Sequence, residues 1–136
     1  QEEYSIIKIN IEKSLKEIVI REKLNLNIYS PLSGGLLTGK YIFNSKAEGR
    51  LNRFKKKTRR NQSPIKISKV KNLNKICKKN NIKMMDFSFN FLKKQKFVSN
   101  IIFGISKIQQ LENFLQSWSV SIDDRIYRKI LKEINQ

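Results

Sequence analysis

The sequence predicts an α/β fold, and three observations carry that prediction. Leu24, Leu26 and Ile28 alternate with polar residues, the period-2 signature of a short strand, and the strand pattern ends at Pro31. Directly upstream, Ile11, Leu15, Ile18 and Val19 recur at helical spacing, so a helix feeds that strand as in one half of a β/α unit. Residues 98–103 form a second short apolar run, closed by Gly104 and followed by another helical stripe.

Taken in order, residues 2–9 are partly alternating and β-branched and read as a strand end entering a loop. Residues 11–23 read as the first helix, with Glu12, Lys13, Lys16 and Glu17 opposite its apolar face. After the strand at 24–28, Gly34, Gly35 and Gly39 fall within six positions, although the chain has only five glycines. Glycines past a strand end permit positive φ and close approach of the backbone to a ligand. Residues 42–63 lack periodicity and read as a long basic loop, with Arg50, Arg53, Lys55, Lys56, Lys57, Arg59 and Arg60 as its charge run and Pro64 just after its end. Residues 65–80 read as a helix burying Val70, Leu73, Ile76 and Cys77, and residues 84–96 as another presenting Met84, Phe87, Phe91 and Leu92. Residues 98–103 read as a buried strand. A helix over 106–118 starts at Ser106 and uses Ile108, Leu111, Phe114 and Leu115 as its apolar set. Ser121 and Asp124 have capping-box spacing ahead of a final helix with Ile126, Ile130, Leu131 and Ile134 inward.

The formal charge is +18, with no acidic residue between Glu48 and Asp86. Such a balance raises the question of a polyanionic partner. Lys, Asn and Ile make up 56 of 136 residues, as in a gene rich in A and T, and the cations are not interleaved with aromatics. The charge is therefore read as compositional, and no specific nucleic-acid partner is expected. Cys77 is the lone cysteine and histidine is absent, which excludes a disulfide framework and the usual metal and general-base chemistry. Cys77, on an apolar stripe, reads as a packing residue. No apolar run approaches the roughly 20 residues of a membrane span. A reduced, cytoplasmic setting with no membrane partner is the expectation.

Two strand-to-loop junctions have anion-binding character. The first runs from Tyr29 through the glycines to Lys40, which sets a cation at the far end of the turn. The same pattern also fits a tight turn with a solvated lysine. The second is Gly104 to Gln110, where a helix start after a strand offers free backbone N–H groups.

These residues carry a resemblance. The run YSPLSGGLLTGKY at 29–41 resembles the seventh-strand segment of the aldo-keto reductases, in the subgroup of bacterial NADPH-dependent reductases and potassium-channel beta subunits. QEEY at 1–4 resembles the end of the sixth strand, and IIFGIS at 101–106 with Gln110 and Leu111 resembles the eighth strand and its helix. The resemblance implies one partial domain over 1–136, the C-terminal half of a (β/α)8 barrel: about strands 6 to 8 with their helices and a C-terminal helix. A complete barrel needs roughly 250 residues, so the chain is expected to be the C-terminal portion of a longer protein or a truncated gene product.

The resemblance also implies roles. Gln1 matches the glutamine that hydrogen-bonds the nicotinamide carboxamide, and Tyr29 the aromatic that stacks on the nicotinamide ring. Ser30, Leu32, Ser33 and Gly34 match the loop beside the pyrophosphate, with Lys40 as its basic contact. Arg50 matches an arginine closing over the adenosine side, and Gly104, Ser106 and Gln110 match the group around the adenosine phosphate. The family's acidic residue and asparagine at the adenine align with Asn113 and Phe114, a departure, and Phe114 also fits the apolar stripe. Lys107 adds attraction for a 2′-phosphate, hence NADP(H). The catalytic tyrosine, aspartate, lysine and histidine belong to earlier strands, so none is expected here, and Tyr4, Tyr41 and Tyr127 do not replace them. The implied activity is reduction of an aldehyde or ketone, with the remainder of the barrel upstream. A non-catalytic cofactor-binding subunit and a degraded remnant are the alternatives.

Overall fold

The molecule, a computed structural model, is described over residues 1–44, 46–54 and 63–134. Its centre is a parallel sheet of three short strands, β1 (Glu2–Glu3), β2 (Asn27–Tyr29) and β3 (Asn100–Ile102), in the order β1-β2-β3. Register sets Ile28 beside Glu2 and Ile101, and Tyr29 beside Glu3 and Ile102. Parallel neighbours in sequence order require a helical crossover between each pair. The first crossover is α1 (Ile11–Ser14) and α2 (Lys16–Arg21). Leu15, still right-handed but at φ −108°, interrupts what periodicity predicts as one helix. Val19 is buried, whereas Ile18 and Leu24 are exposed, contrary to the inward face and strand start expected of them. The strand begins at Asn27 because the chain first turns through Lys23, at φ 51°.

The second crossover is longer. It comprises a 3₁₀ turn (Ser33–Thr38), α3 (Lys40–Phe43), α4 (Arg50–Arg53), α5 (Pro64–Lys79) and α6 (Met84–Lys93). The stretch read as loop thus contains two single-turn helices. Lys55, Lys56, Lys57, Arg59 and Arg60 of its charge run lie outside the described residues. Ser63 caps α5 by accepting the Lys66 N–H at 3.4 Å, and Pro64, which has no N–H to leave orphaned, occupies the first turn. Val70, Leu73, Ile76 and Cys77 are buried as their spacing predicts.

The helix α6 is the structural core. Met84, Phe87, Phe89, Phe91 and Leu92 are buried, each contributing about 1.5–3 kcal/mol, and the helix packs on α5, α7 and the 3₁₀ turn. Two of its buried polar residues are paired: the Ser88 hydroxyl donates to the Met84 carbonyl at 2.7 Å, and the Asn90 amide donates to the carbonyls of Asp86 and Val120 at 3.0 Å and accepts the Ile122 N–H at 3.2 Å. Tyr4, fully buried, packs on Phe91 and Phe97 and donates its hydroxyl to Glu12.

The C-terminal helices are α7 (Ile108–Ser119) and α8 (Asp124–Ile134). Helix α7 starts two residues later than Ser106, and its expected apolar set is only partly covered: Ile108 is 77% and Leu115 55% exposed. Phe114 does pack, stacked on Phe103 at 3.6 Å and edge-on to Phe89 at 4.6 Å. Strand β3 is half open, with Ile102 exposed, because no strand among the described residues pairs with its outer edge. At α8 the cap is Asp123, whose carboxylate accepts the Arg125 and Ile126 N–H groups, rather than the Ser121 box. Tyr127 and Ile130 are buried there, and Ile126 is exposed. Lysine ammoniums lie over the rings of Phe97, Tyr41, Phe43, Trp118 and Tyr127 at 4.6–5.5 Å. Among the described residues no helix is long and apolar enough to cross a membrane.

Candidate functional site

Because Glu3, Tyr29 and Ile102 share one level of the sheet, the segments after β2 and β3 leave from the same end. Tyr29 is 39% exposed, so its ring has an open side. The next turn is tight: Ser30 and Ser33 hold φ of 56° and 48°, and Gly34, Gly35 and Gly39 follow at 66°, 96° and 82°. Such a run of positive φ is costly for L side chains, about 1–3 kcal/mol at each serine, and the packing around it must compensate. Part of that compensation is visible. The Ser33 N–H donates to the Ser30 carbonyl at 2.8 Å, and the buried Ser33 hydroxyl lies 2.9 Å from that of Ser5. Ser33 therefore faces the interior. Leu32 and Gly34 stay partly exposed.

Lys40 opens α3, and its ammonium donates to the Glu48 carbonyl at 2.8 Å while lying 4.9 Å from the Tyr41 ring centroid. Glu48 turns its carboxylate the other way, to the Lys107 ammonium at 3.7 Å. One residue thus joins both junctions. The turn that allows this is Gly49, at φ 150° and ψ −179°, a conformation open essentially to glycine alone. A Cβ there would collide with the Tyr41 hydroxyl and the Lys40 ammonium. The Tyr41 hydroxyl accepts the Leu51 N–H at 3.4 Å, and buried Leu51 anchors α4, whose first residue is the exposed Arg50.

At the second junction, the Ser106 N–H is not free as a helix start would leave it. The Gln110 side-chain oxygen accepts it at 2.9 Å and lies 3.4 Å from the Ser106 hydroxyl. Ser106, Lys107 and Gln110 are all exposed, and Gly104 has open space where a Cβ would stand. Gln1 is exposed one residue before β1. The structure thus unites Lys40 with Lys107 through Glu48, and Ser106 with Gln110, and turns Ser33 away. Glu48, Gly49 and Tyr41 were missed as site residues; the available signal was Glu48 as the last acid before a long acid-free stretch.

The arrangement fits a phosphate-bearing ligand. Lys40 stands beside the glycine turn and holds the Glu48 backbone carbonyl, while Lys107 of the adjacent junction faces the Glu48 carboxylate. Burial, then hydrogen bonding to Glu12, raises the Tyr4 phenol far above its ordinary value, and burial pushes Tyr127 up to about 12. Both shifts oppose acid catalysis near neutrality. Among the described residues no cluster of three His, Cys, Asp or Glu is placed to hold a metal.

Comparisons with known proteins converge. A sequence profile described as "Aldo/keto reductase family" matches residues 1–135. Protein tas of Escherichia coli K12 is 25% identical over 130 residues, covering 96% of this chain and 38% of that protein. L-glyceraldehyde 3-phosphate reductase of the same organism is 25% identical over 122 residues, covering 86% and 35%. Among solved structures, the glycerol dehydrogenase AKR11B4 from Gluconobacter oxydans superposes with a TM-score of 0.68 at 18% identity, over 98% of this chain and 41% of that one. The chain spans well under half the length of the relatives it matches.

Proposed function

From the premise that this chain belongs to the aldo/keto reductase family, we propose that it supplies the dinucleotide-holding part of an NADP(H)-dependent carbonyl reductase. In this reading β1, β2 and β3 are the sixth, seventh and eighth strands of a (β/α)8 barrel. The observation that carries it is the pairing of Lys40 and Lys107 about Glu48 across adjacent junctions. Lys40 lies beside the glycine turn and holds the pyrophosphate, while Lys107, Ser106 and Gln110 take the adenosine phosphate. Tyr29 offers its ring to the nicotinamide, with Gln1 on the neighbouring strand toward the carboxamide. Arg50 closes from α4. Ser30, Leu32, Ser33 and Gly34 shape the turn, Ser33 through its buried bond to Ser5 rather than by touching ligand. The family's cofactors carry a hydride at the nicotinamide, and the substrate class is a small aldehyde or ketone.

This chain's own contribution is binding and orientation. A carbonyl accepting hydride gains negative charge, and a positioned proton donor contributes ~10²–10⁴-fold. The buried, raised Tyr4 and Tyr127 phenols do not serve, and in this reading the donor is the family's tyrosine on an earlier strand. The reading is of a cytoplasmic protein. A cofactor-binding subunit without turnover uses the same residues and differs only in lacking that donor. The test is NADPH titration with single-turnover reduction of an aldehyde by the full protein and by residues 1–136 alone. Turnover by the full protein and none by the segment is expected. Turnover by the segment overturns the division of labour, and absence of any NADPH binding by the full protein overturns the reading.

A further inference from the structure

The positive charge is not spread evenly. Residues 64–83 carry seven cations and no acid, whereas residues 11–23 carry four cations and three acids, and residues 106–120 one of each. A compositional bias alone distributes cations over every element. Here α5 is the cation-only helix, and it packs against α8, which carries four cations and two acids. Lys71, Lys75 and Lys78 recur at i, i+4 and i+7 on the exposed side of α5, and Arg125, Arg128, Lys129 and Lys132 are exposed on α8. Only Lys79 has an acid across this contact, Glu133 at 3.4 Å, and Asp124 is taken by Lys94. The other seven have no ion pair among the described residues.

We propose that the α5–α8 face binds the phosphate backbone of duplex nucleic acid without reading its sequence. A four-residue helical step of ~6 Å sets ammoniums in two rows on neighbouring helices, suited to a dense line of phosphates. Among the described residues one exposed ring stands beside these cations, Phe43, 66% exposed and 4.6 Å from the Lys78 ammonium, while Tyr127 is buried. A single ring, itself covered on one side by Lys78, does not form a platform for successive unpaired bases, which disfavours single strands. The exposed apolar residues of the two helices are the isolated Ile65 and Ile126, and their apolar stripes are used internally, unlike a helix that lies in a membrane interface. Side chains able to fork onto base edges are few, since most of these cations are lysines.

The test is fluorescence anisotropy of the full protein with two labelled 20-base-pair duplexes of unrelated sequence, from 50 to 200 mM KCl. Equal binding to both is expected, with a steep salt slope. Changing Lys71, Lys75, Lys78 and Lys129 together to Gln lowers the slope by about 3.6, at roughly 0.9 per phosphate contact, and weakens binding at least ~10-fold at 100 mM. A control with Lys13, Lys23 and Lys96 changed to Gln leaves binding unchanged. If the quadruple variant misfolds by circular dichroism, Lys129→Gln with Lys132→Gln serves in its place, with a slope change of about 1.8. No binding at 50 mM, an equal loss in the control, or equal affinity for a single strand overturns the proposal. So does tighter binding to phosphatidylserine vesicles with the same variant dependence.

Discussion

Replacing Gly49 by Ala is the sharpest probe of how the two junctions are joined. The residue sits at φ 150° and ψ −179°, where an L side chain costs about 1–3 kcal/mol. The added methyl also meets the Tyr41 hydroxyl and the Lys40 ammonium. The ammonium, at the end of a flexible chain, is the group that yields, and it leaves the Glu48 carbonyl it now holds at 2.8 Å. The phenol is tied to Leu51 and yields less. The expected result is a loss of about 1–3 kcal/mol in urea unfolding of the full protein, together with weaker NADPH binding. Gly104→Ala is the matched control, because nothing stands within 4 Å of its Cβ position and its φ is not in the left-handed range. It should fall within about 0.5 kcal/mol of the parent. A Gly49→Ala variant as stable as Gly104→Ala, with unchanged NADPH affinity, would refute the reasoning.

The other expected outcomes are simpler. Lys40→Ala in the full protein should weaken NADPH binding by roughly 1.5–3 kcal/mol, the value of a hydrogen bond to a charged group, with little effect on single-turnover rate; a normal affinity by fluorescence titration counts against its role. Tyr127 ionises near pH 10 when unfolded and is pushed up to about 12 when folded, so the unfolded state binds fewer protons in between and stability falls as pH rises from about 10 to about 12. Tyr127→Phe should lessen that fall in thermal unfolding between pH 9 and 12, with Tyr4 and Cys77, both also raised by burial, supplying the remainder. Cys77 is fully buried, and burial, then the Asp86 charge, pushes its thiol up to about 12, so iodoacetamide at pH 8 should label it only as fast as the protein opens. Rapid stoichiometric labelling of the native protein would contradict its placement.

How much of this was legible depended on which physics wrote the signal. The stripes on α5 and α6 were readable because their burial is regular and wholly met within the chain, as at Val70, Leu73 and Cys77. The same periodicity misled at Ile18, Leu24, Ile108 and Leu115, since spacing records that a face is apolar and not that a described neighbour covers it. The cap at Asp123 lost to Ser121 on motif spacing alone; the backbone path chose the nearer carboxylate. Lys40 was legible from its place after three glycines. Glu48 and Gly49 were not, because their pairing with Lys107 depends on how a long connection folds back, and no local period encodes that. The contact of the Ser33 hydroxyl with Ser5 was likewise not legible, since it joins residues 28 positions apart.

The aromatic seats of five lysines have a further consequence. With 29 cations and 11 acids, there are too few carboxylates to pair every cation, and rings at Phe97, Tyr41, Phe43, Trp118 and Tyr127 each give a lysine an uncharged contact. A ring face has no proton to gain, so acid leaves these contacts, each about 0.5–1 kcal/mol, in place. Acylation does the reverse. An acetyl group on Lys16, Lys40, Lys78, Lys93 or Lys94 removes the charge that the ring attracts while leaving every carboxylate ionised. These five contacts are thus insensitive to acid and sensitive to acylation of the lysine nitrogen, the reverse of the Lys94–Asp124 ion pair's response to acid.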